Sequence, residues 1–234
     1  MSALVFSSPV PSRRTRIKIC GLTREEDVDA AVAAGADAVG FVLYAQSPRA
    51  VTAARAAELS RRLPPFVTPV LLFVNEIAIN IIAAHAMNKR AICQFHGEES
   101  PKSCAEIDLP YIRAARIPIH SENTFNLVKF SQDYPSALAI LVDAHVEGYG
   151  GGGKTFNWNA INWSHPDLNA SSRLVLSGGL TPANVTDGIV QVRPWAVDVS
   201  SGVETAKGIK DPEKIIQFVA AVRRADQLLA LPTP

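Results

Sequence analysis

Short apolar, β-branched runs alternate with helical patterns along almost the whole chain, and this alternation constrains the fold more than any other feature. Alternating strands and helices predict βα units whose strands lie parallel in one sheet. Several strand candidates are apolar nearly throughout, which is typical of parallel strands buried on both faces. The eight candidates are Arg16–Cys20, Ala38–Leu43, Thr68–Phe73, Ala91–Phe95, Tyr111–Ala115, Leu138–Val142, Leu174–Ser177 and Ala196–Val199.

The segments between these strands carry helical patterns and complete eight βα units. Eight units within 234 residues predict one α/β domain, a single (β/α)8 TIM barrel with eight parallel strands. An open, doubly wound sheet is the alternative, although no G-x-G-x-x-G fingerprint follows the first strand. We assign residues 15–234 to the barrel and residues 1–14 to a flexible N-terminal extension. The predicted helices are Glu25–Ala34, Ala53–Leu63, Ile77–Asn88, Ser100–Ile107, Thr124–Gln132, Asn157–Trp163, Pro182–Gly188 and Asp211–Leu229.

The charge balance argues against nucleic acid as a partner. Lys and Arg number 23 and Asp and Glu number 22, so no basic field exists to track a phosphate backbone. No stretch reaches the roughly 20 apolar residues of a membrane span, and no signal peptide is recognised at the N-terminus. The odd number of cysteines, without C-x-x-C spacing, favours a reduced, cytoplasmic setting.

The first strand candidate delivers a thiol to the rim where barrel active sites form, the carboxyl ends of the strands. Positions two apart in a strand share a face, so Lys18 and Cys20 lie on one face and Ile19 on the other. Thr23 is expected to cap the helix that follows. A thiol beside a cation is suited to proton transfer, whereas a lone cysteine is usually a small buried hydrophobe.

Two Gly/Ser loops follow the last two strand candidates, at Ser177–Gly179 and at Ser200–Gly202. Glycines let backbone N–H groups approach an anion closely, and the loops after strands seven and eight are the recurrent phosphate site of this barrel. Either loop alone is equally explained as an ordinary tight turn. Because the two loops follow consecutive strands, the pair favours phosphate binding.

Other strand ends and the loops that follow them carry two carboxylates, an arginine and further polar residues. Asp143 ends an apolar strand, where partial desolvation suits a general acid; orienting the glycine-rich loop behind it is the alternative role. Arg49 offers a planar fork for a carboxylate, although a surface arginine is the commoner case. Gln94 and His96 are candidate ligand contacts. The histidines lack H-E-x-x-H or similar spacing, so no metal is predicted.

With these residues assembled, the chain resembles the phosphoribosylanthranilate isomerase family of tryptophan biosynthesis over about residues 16 to 226. The matching segments are Lys18–Thr23, Ser47–Arg49, Phe73–Asn75, Gln94–Gly97, Leu141–Asp143, Gly150–Trp158, Ser177–Val185, Val197–Glu204 and Gly208–Asp211. The chain departs from the family at Asn157, where an aspartate is usual, and in the all-glycine loop Gly150–Gly153. Fungal members are often the last domain of a longer polypeptide. A fungal-type chain fused to other tryptophan-pathway domains is therefore one expectation, and a free N-terminus is the other.

The resemblance implies an Amadori rearrangement of a small phosphosugar, N-(5'-phosphoribosyl)anthranilate, with no cofactor. In that scheme Asp143 protonates the ring oxygen, Cys20 as thiolate takes the C2' proton, and Arg49 engages the anthranilate carboxylate. Asp198 either bonds sugar hydroxyls or sets the protonation of its neighbours. The substrate-binding residues that the resemblance implies are Arg49, Gln94, His96, Gly178, Gly179, Asp198, Ser200, Ser201 and Gly202.

Two other functions fit parts of the pattern. Indole-glycerol-phosphate synthase and pentose-phosphate epimerases are barrels with similar phosphate loops, but they do not require Cys20, Arg49 and Asp143 at these positions. A catalytically silent phosphate-ligand-binding domain of a larger polypeptide is a rival of another class. The intact acid/base pair argues against the silent domain.

Overall fold

The computed structural model describes residues 14–118, 125–145, 157–163, 165–171 and 173–231, and its eight barrel strands are all parallel. They run in chain order around a closed barrel, and the last strand pairs back onto the first, with Ile17 opposite Val197. The predicted (β/α)8 barrel is confirmed, and the open sheet is wrong because no edge strand is left. The strands are β1 (Arg16–Cys20), β2 (Ala38–Val42), β3 (Thr68–Phe73), β4 (Ile92–Phe95), β5 (Tyr111–Pro118), β6 (Ala139–His145), β7 (Leu174–Leu176) and β8 (Ala196–Val199).

The α-helices of the described residues follow these strands in turn. They are α1 (Glu25–Ala34), α2 (Ala53–Ser60), α3 (Ala78–Met87), α4 (Pro101–Glu106), α5 (Leu127–Asp133), α6 (Pro166–Ser171), α7 (Val185–Val192) and α8 (Pro212–Ala230). Helix α7 begins later than predicted. Pro182 lies in a turn, and the Asn184 side chain accepts the Thr181 N–H at 2.8 Å just before the helix starts.

A short antiparallel ribbon between β8 and α8 was not predicted. Its strands are β9 (Glu204–Ala206) and β10 (Ile209–Lys210), which are too short to show a period-two pattern. The ribbon also corrects the predicted role of Thr23. The Thr23 hydroxyl donates to the carbonyl of Gly208 at 2.7 Å and caps no helix.

The two faces of each barrel strand pack differently, as the alternation in β1 predicts. Ile17 and Ile19 belong to the main core between the sheet and the helices. Cys20 instead packs with Val42, Leu72 and Val74 in a separate apolar cluster. The thiol therefore lies on the opposite face of β1 from the main core, near the end of the strand.

Some predictions concern residues outside the described part of the chain. The N-terminal extension lies outside it except for Arg14, which forms an ion pair with Asp37. The glycine-rich loop Gly150–Gly153 also lies outside. Among the described residues, no helix has both the length and the apolar character needed to cross a membrane.

Candidate active site

A cleft of about 630 Å³, counted with its open mouth, lies at the carboxyl ends of the strands. Among the residues that line it are Cys20, Arg49, Gln94, His96, Asp143, Gly178, Gly179, Asp198, Ser200 and Ser201. Gly202 is not among them, and its predicted contact with substrate stays a prediction. A methyl group on Gly202 would lie 1.9 Å from the carbonyl oxygen of Leu180. Gly202 therefore lets the loop after β8 pack against the loop after β7.

Asp198 at the end of β8 is held by partners inside the barrel. Lys18 Nζ donates to its Oδ1 at 2.7 Å, with both side chains less than a tenth exposed, and the Ser177 hydroxyl donates to its Oδ2 at 3.1 Å. Lys18 and Asp198 are also opposite each other in the β1–β8 register. Because both carboxylate oxygens are engaged, the geometry favours the second of the two roles expected for Asp198, control of its neighbours' protonation.

The environment of Cys20 favours the neutral thiol. Burial raises the pKa of Cys20 above its ordinary value, the Asp198 charge raises it further, and the Lys18 cation lowers it only in part. Burial alone would lower the pKa of Lys18, but Asp198 and Cys20 together raise it, so Lys18 remains a cation. The thiolate that is expected to act as the base is therefore the minor form at neutral pH, because burial and Asp198 together outweigh the attraction of Lys18.

Gly40 on β2 makes the space that the sulfur of Cys20 occupies. The two residues are partners in the parallel register of β1 and β2. A methyl group on Gly40 would lie 2.6 Å from Sγ and 3.2 Å from Cα of Cys20, which is closer than van der Waals contact permits. The absence of a side chain at position 40 therefore determines where the thiol sits.

Replacing Gly40 with alanine is expected to lower kcat by about 10- to 100-fold, because displacement of a reacting group by about 1 Å has that order of effect. Overpacking should also lower the free energy of unfolding by about 1–3 kcal/mol. Steady-state kinetics and thermal unfolding measure the two effects. Gly188→Ala is the matched control, since Gly188 is a buried glycine of α7 where a methyl group would lie 3.0 Å from Leu176 and 3.1 Å from Trp158. Equal kinetic losses in both variants would refute the positioning role of Gly40.

Asp143 at the cleft is held by a hydrogen-bonded chain of buried side chains. Its Oδ1 accepts the Ala144 N–H at 2.8 Å, and its Oδ2 lies 3.1 Å from His96 Nε2. The other ring nitrogen of His96 lies 3.0 Å from the Gln94 amide nitrogen. Gln94 Oε1 is buried and has no hydrogen-bond partner among the described residues. His96 and Gln94, predicted as ligand contacts, thus hold the Asp143 carboxylate in place.

Gly178, in the loop after β7, packs so close to Asp143 that no side chain fits at this position. Its φ of 84° lies in the left-handed region, and a methyl group there would stand 2.8 Å from Asp143 Oδ1. Gly179 follows with φ 64°, and its carbonyl accepts the Asn184 amide at 3.0 Å. In the loop after β8, the carbonyl of Ser200 accepts from the Lys210 ammonium at 3.1 Å. Both loops are therefore fixed, and a cation lies beside the second.

Arg49 is partnered by a residue that sequence reasoning missed. Its Nε and Nη2 donate to the two carboxylate oxygens of Glu204 at 2.8 and 2.7 Å. Burial alone would raise the pKa of Glu204, but Arg49 and Lys210 together hold it below its ordinary value. No sequence signal joins Arg49 to Glu204, because β9 was not predicted. Ser177 was predicted as part of a Gly/Ser loop, but its hydrogen bond to Asp198 was not predicted.

Comparisons with known proteins agree on one family. Residues 17–221 match the family model described as "PRAI: N-(5'phosphoribosyl)anthranilate (PRA) isomerase". A relative of that name from Methylibium petroleiphilum is 58% identical over 217 residues, which cover 93% of this chain and 98% of the relative.

Solved structures give the same result. The phosphoribosyl anthranilate isomerase of Thermotoga maritima aligns with a TM-score of 0.78 and 40% identity, covering 90% of this chain and 99% of the other. A structure of such an enzyme in complex with reduced 1-(o-carboxyphenylamino)-1-deoxyribulose 5-phosphate aligns with a TM-score of 0.74 and 36% identity, with coverage of 90% and 99%. The similar sequences are bacterial, so the expected fungal type finds no support.

Proposed function

Since the chain belongs to the N-(5'-phosphoribosyl)anthranilate isomerase family, we propose that Asp143 and Cys20 are the acid and base of its reaction. That reaction is the Amadori rearrangement of N-(5'-phosphoribosyl)anthranilate to 1-(2-carboxyphenylamino)-1-deoxyribulose 5-phosphate, a step of tryptophan biosynthesis. It opens the ribose ring and converts an aldose derivative to a ketose. Oxidation at C2' and reduction at C1' occur within one molecule.

The bonds that change define two tasks for the protein. Asp143 donates a proton to the ring oxygen as the C1'–O4' bond breaks, which leaves a Schiff base between C1' and the anthranilate nitrogen. The Cys20 thiolate then removes the proton from C2' and forms an enol. Transfer of a proton to C1' and loss of the proton on O2' give the ketone, so the reaction consumes no net proton.

The observation that carries this proposal is the presence of both groups in one cleft. Cys20 comes from β1 and Asp143 from β6, and both line the cavity together with the two Gly/Ser loops. Asp143 is held by His96 and Ala144, and the space for the Cys20 sulfur depends on Gly40. Preorganised groups of this kind need no rearrangement at the moment of reaction.

The ends of the substrate find complementary groups in the same cleft. Gly178, Gly179 and Ser201 belong to the loops that bind the phosphate in this proposal, and Lys210 adds a cation behind Ser200. Arg49 binds the anthranilate carboxylate through the end of its guanidinium that Glu204 does not occupy. Loss of anthranilate fluorescence on mixing fresh substrate with enzyme tests this function, and the variants below test its residues.

Lys18→Met is expected to raise the pKa of Cys20 further, because the variant removes the nearest cation and leaves the Asp198 charge. Thiolate is then scarcer at neutral pH, and kcat should fall there by about tenfold for each unit by which the thiol pKa rises. The loss should shrink as the pH is raised, because thiolate forms in both proteins. A pH profile of kcat, together with ultraviolet titration of the thiol, measures this.

The same substitution leaves a buried carboxylate unpaired, so the free energy of unfolding should fall by about 3–5 kcal/mol. The double variant Lys18→Met/Asp198→Asn removes both charges and should recover most of that stability. Its activity at neutral pH should stay below wild type, since the Lys18 attraction for the thiolate exceeds the Asp198 repulsion. A loss in Lys18→Met that is equal at every pH would show that Lys18 does not act on Cys20.

Two further expectations belong to this proposal. The cytoplasm is the compartment expected for an enzyme of this pathway whose mechanism needs a reduced cysteine. Fusion with other tryptophan-pathway domains stays a prediction, and the mass of the natural polypeptide would test it. A natural polypeptide with a mass close to the 25.1 kDa of this chain would contradict fusion.

A further inference from the structure

The guanidinium of Arg49 is half occupied before any ligand binds. Its Nε and Nη2 donate to Oε1 and Oε2 of Glu204 at 2.8 and 2.7 Å, and both side chains are less than a tenth exposed. A guanidinium has five N–H donors in one plane, so this side-on pair leaves the end formed by Nη1 and the second hydrogen of Nη2. Within the described residues that end makes no hydrogen bond, and Arg49 lines the cleft.

Glu204 cannot follow the guanidinium if Arg49 turns. Its Oε1 also accepts from Nζ of Lys210 at 2.7 Å, and the Lys210 side chain is fully buried. The backbone carbonyl of Glu204 accepts from Nζ of Lys214 in α8 at 2.8 Å. The carboxylate is therefore anchored by Lys210 of the β9–β10 ribbon, and the backbone of Glu204 by Lys214 of α8, both independently of Arg49.

The opposite side of Arg49 is confined as well. Gly21 has φ 77°, and a methyl group there would lie 2.5 Å from Cδ of Arg49. The aliphatic part of the arginine thus passes directly over the backbone at position 21. With Glu204 on one side and Gly21 on the other, the planar fork has one orientation available.

The charges of this cluster leave an attraction for an anion. Arg49 and Lys210 contribute two positive charges and Glu204 one negative charge, so one positive charge is uncompensated within the three. A carboxylate that meets the open end of Arg49 would form two charge-assisted hydrogen bonds with a preset donor pair. Glu204 is what turns that end toward the ligand.

We infer that Glu204 is a positioning residue that fixes the orientation of Arg49 and so determines the preference for an aryl group carrying a carboxylate. This inference rests on the proposed function, in which Arg49 binds the anthranilate carboxylate. Glu204 itself touches no substrate; it acts through the arginine. Its role is specificity, which separates it from the acid and the base that change bonds.

The test compares two substrates, N-(5'-phosphoribosyl)anthranilate and N-(5'-phosphoribosyl)aniline, which lacks the carboxylate. Glu204→Gln is expected to lower the ratio of their kcat/KM values by about tenfold, through a higher KM for the anthranilate compound. A neutral amide cannot accept from both nitrogens of Arg49, so the guanidinium loses its fixed orientation. The aniline compound should change by less than about threefold, because it makes no bond to Arg49.

Three variants make the outcome decisive. Asp226 on α8 accepts the N–H of Thr15, just before β1, and pairs with Arg223, and neither partner lines the cleft. Asp226→Asn weakens these contacts and should leave the ratio unchanged. If Glu204→Gln does not fold, Glu204→Asp keeps the charge near Lys210 but is too short for the side-on pair, and should lower the ratio similarly.

Arg49→Met distinguishes a failure of the role of Glu204 from a failure of the role of Arg49. If it abolishes the preference while Glu204→Gln behaves like Asp226→Asn, the role of Glu204 is overturned and that of Arg49 stands. If Arg49→Met keeps the preference, the carboxylate role of Arg49 fails, and the role of Glu204 fails with it. An equal loss on both substrates in Glu204→Gln would mark a purely structural residue and would also overturn the inference.

Discussion

Replacing Asp143 with asparagine is expected to lower kcat by at least about 10²-fold, and by as much as about 10⁴-fold, while KM changes little. Asparagine keeps the size of the side chain and an oxygen that can accept the Ala144 N–H. It has no proton acidic enough to give to the ring oxygen as the C1'–O4' bond breaks. The loss should therefore fall on ring opening, the step that precedes any chemistry at C2'.

Trapping with borodeuteride locates the blocked step, because reduction of the Schiff base places deuterium at C1' and reduction of the ketone product places it at C2'. Wild-type enzyme should give product labelled at both positions, whereas Asp143→Asn should yield little of either. Asp133→Asn serves as the control, since Asp133 is an exposed carboxylate that pairs with Lys129 outside the cleft. Near-normal turnover by Asp143→Asn, measured with fresh substrate, would remove Asp143 from the acid role.

The barrel was predictable because its signals are local and repeated. Each strand has an apolar run, and the faces of β1 alternate as the positions of Lys18, Ile19 and Cys20 require. Boundaries were less predictable where tertiary contacts decide them. Helix α7 starts at Val185 because the Asn184 side chain binds the backbone at Thr181, which composition alone does not reveal.

The site was predictable in its members and much less so in their pairings. Position near the carboxyl end of a strand, or in the loop that follows it, was enough to bring Cys20, Asp143 and Arg49 to one cleft. Position does not give the partner of a charged group, since Arg49 and Glu204 are 155 residues apart in the chain and meet only through a ribbon without a sequence pattern. The raised pKa of Cys20 could not be predicted for the same reason, because burial depends on the whole barrel and not on neighbouring residues in the chain.

The roles of the glycines were likewise predictable only where they depend on neighbouring residues in the chain. The loop glycines after β7 were predicted to serve the phosphate, and the structure adds that Gly178 leaves room for Asp143. Gly40 carried no signal, because a glycine within an apolar strand is explained equally well by a bulge or a close backbone approach. Its function became visible only when register placed it against Cys20.

Cys20→Ala is expected to lower kcat by at least about 10²-fold, with the loss at proton removal from C2' and ring opening preserved. The variant should still form the Schiff base that borodeuteride labels at C1', which distinguishes it from Asp143→Asn. With substrate deuterated at C2', wild-type enzyme should release the label to water or move it to C1', and Cys20→Ala should leave it in place. Cys93 and Cys104 cannot substitute, because both are buried outside the cleft.

The pH dependence supplies an independent check on the same residue. Because burial raises the pKa of Cys20, the thiolate is the minor form at neutral pH, and wild-type kcat should rise about tenfold per pH unit wherever deprotonation of this thiol limits the rate. Cys20→Ser keeps the shape of the side chain against Gly40 but has a hydroxyl that does not ionise in this range. Its residual activity should lack the rise, and a serine variant with the wild-type profile would mean that another group removes the C2' proton.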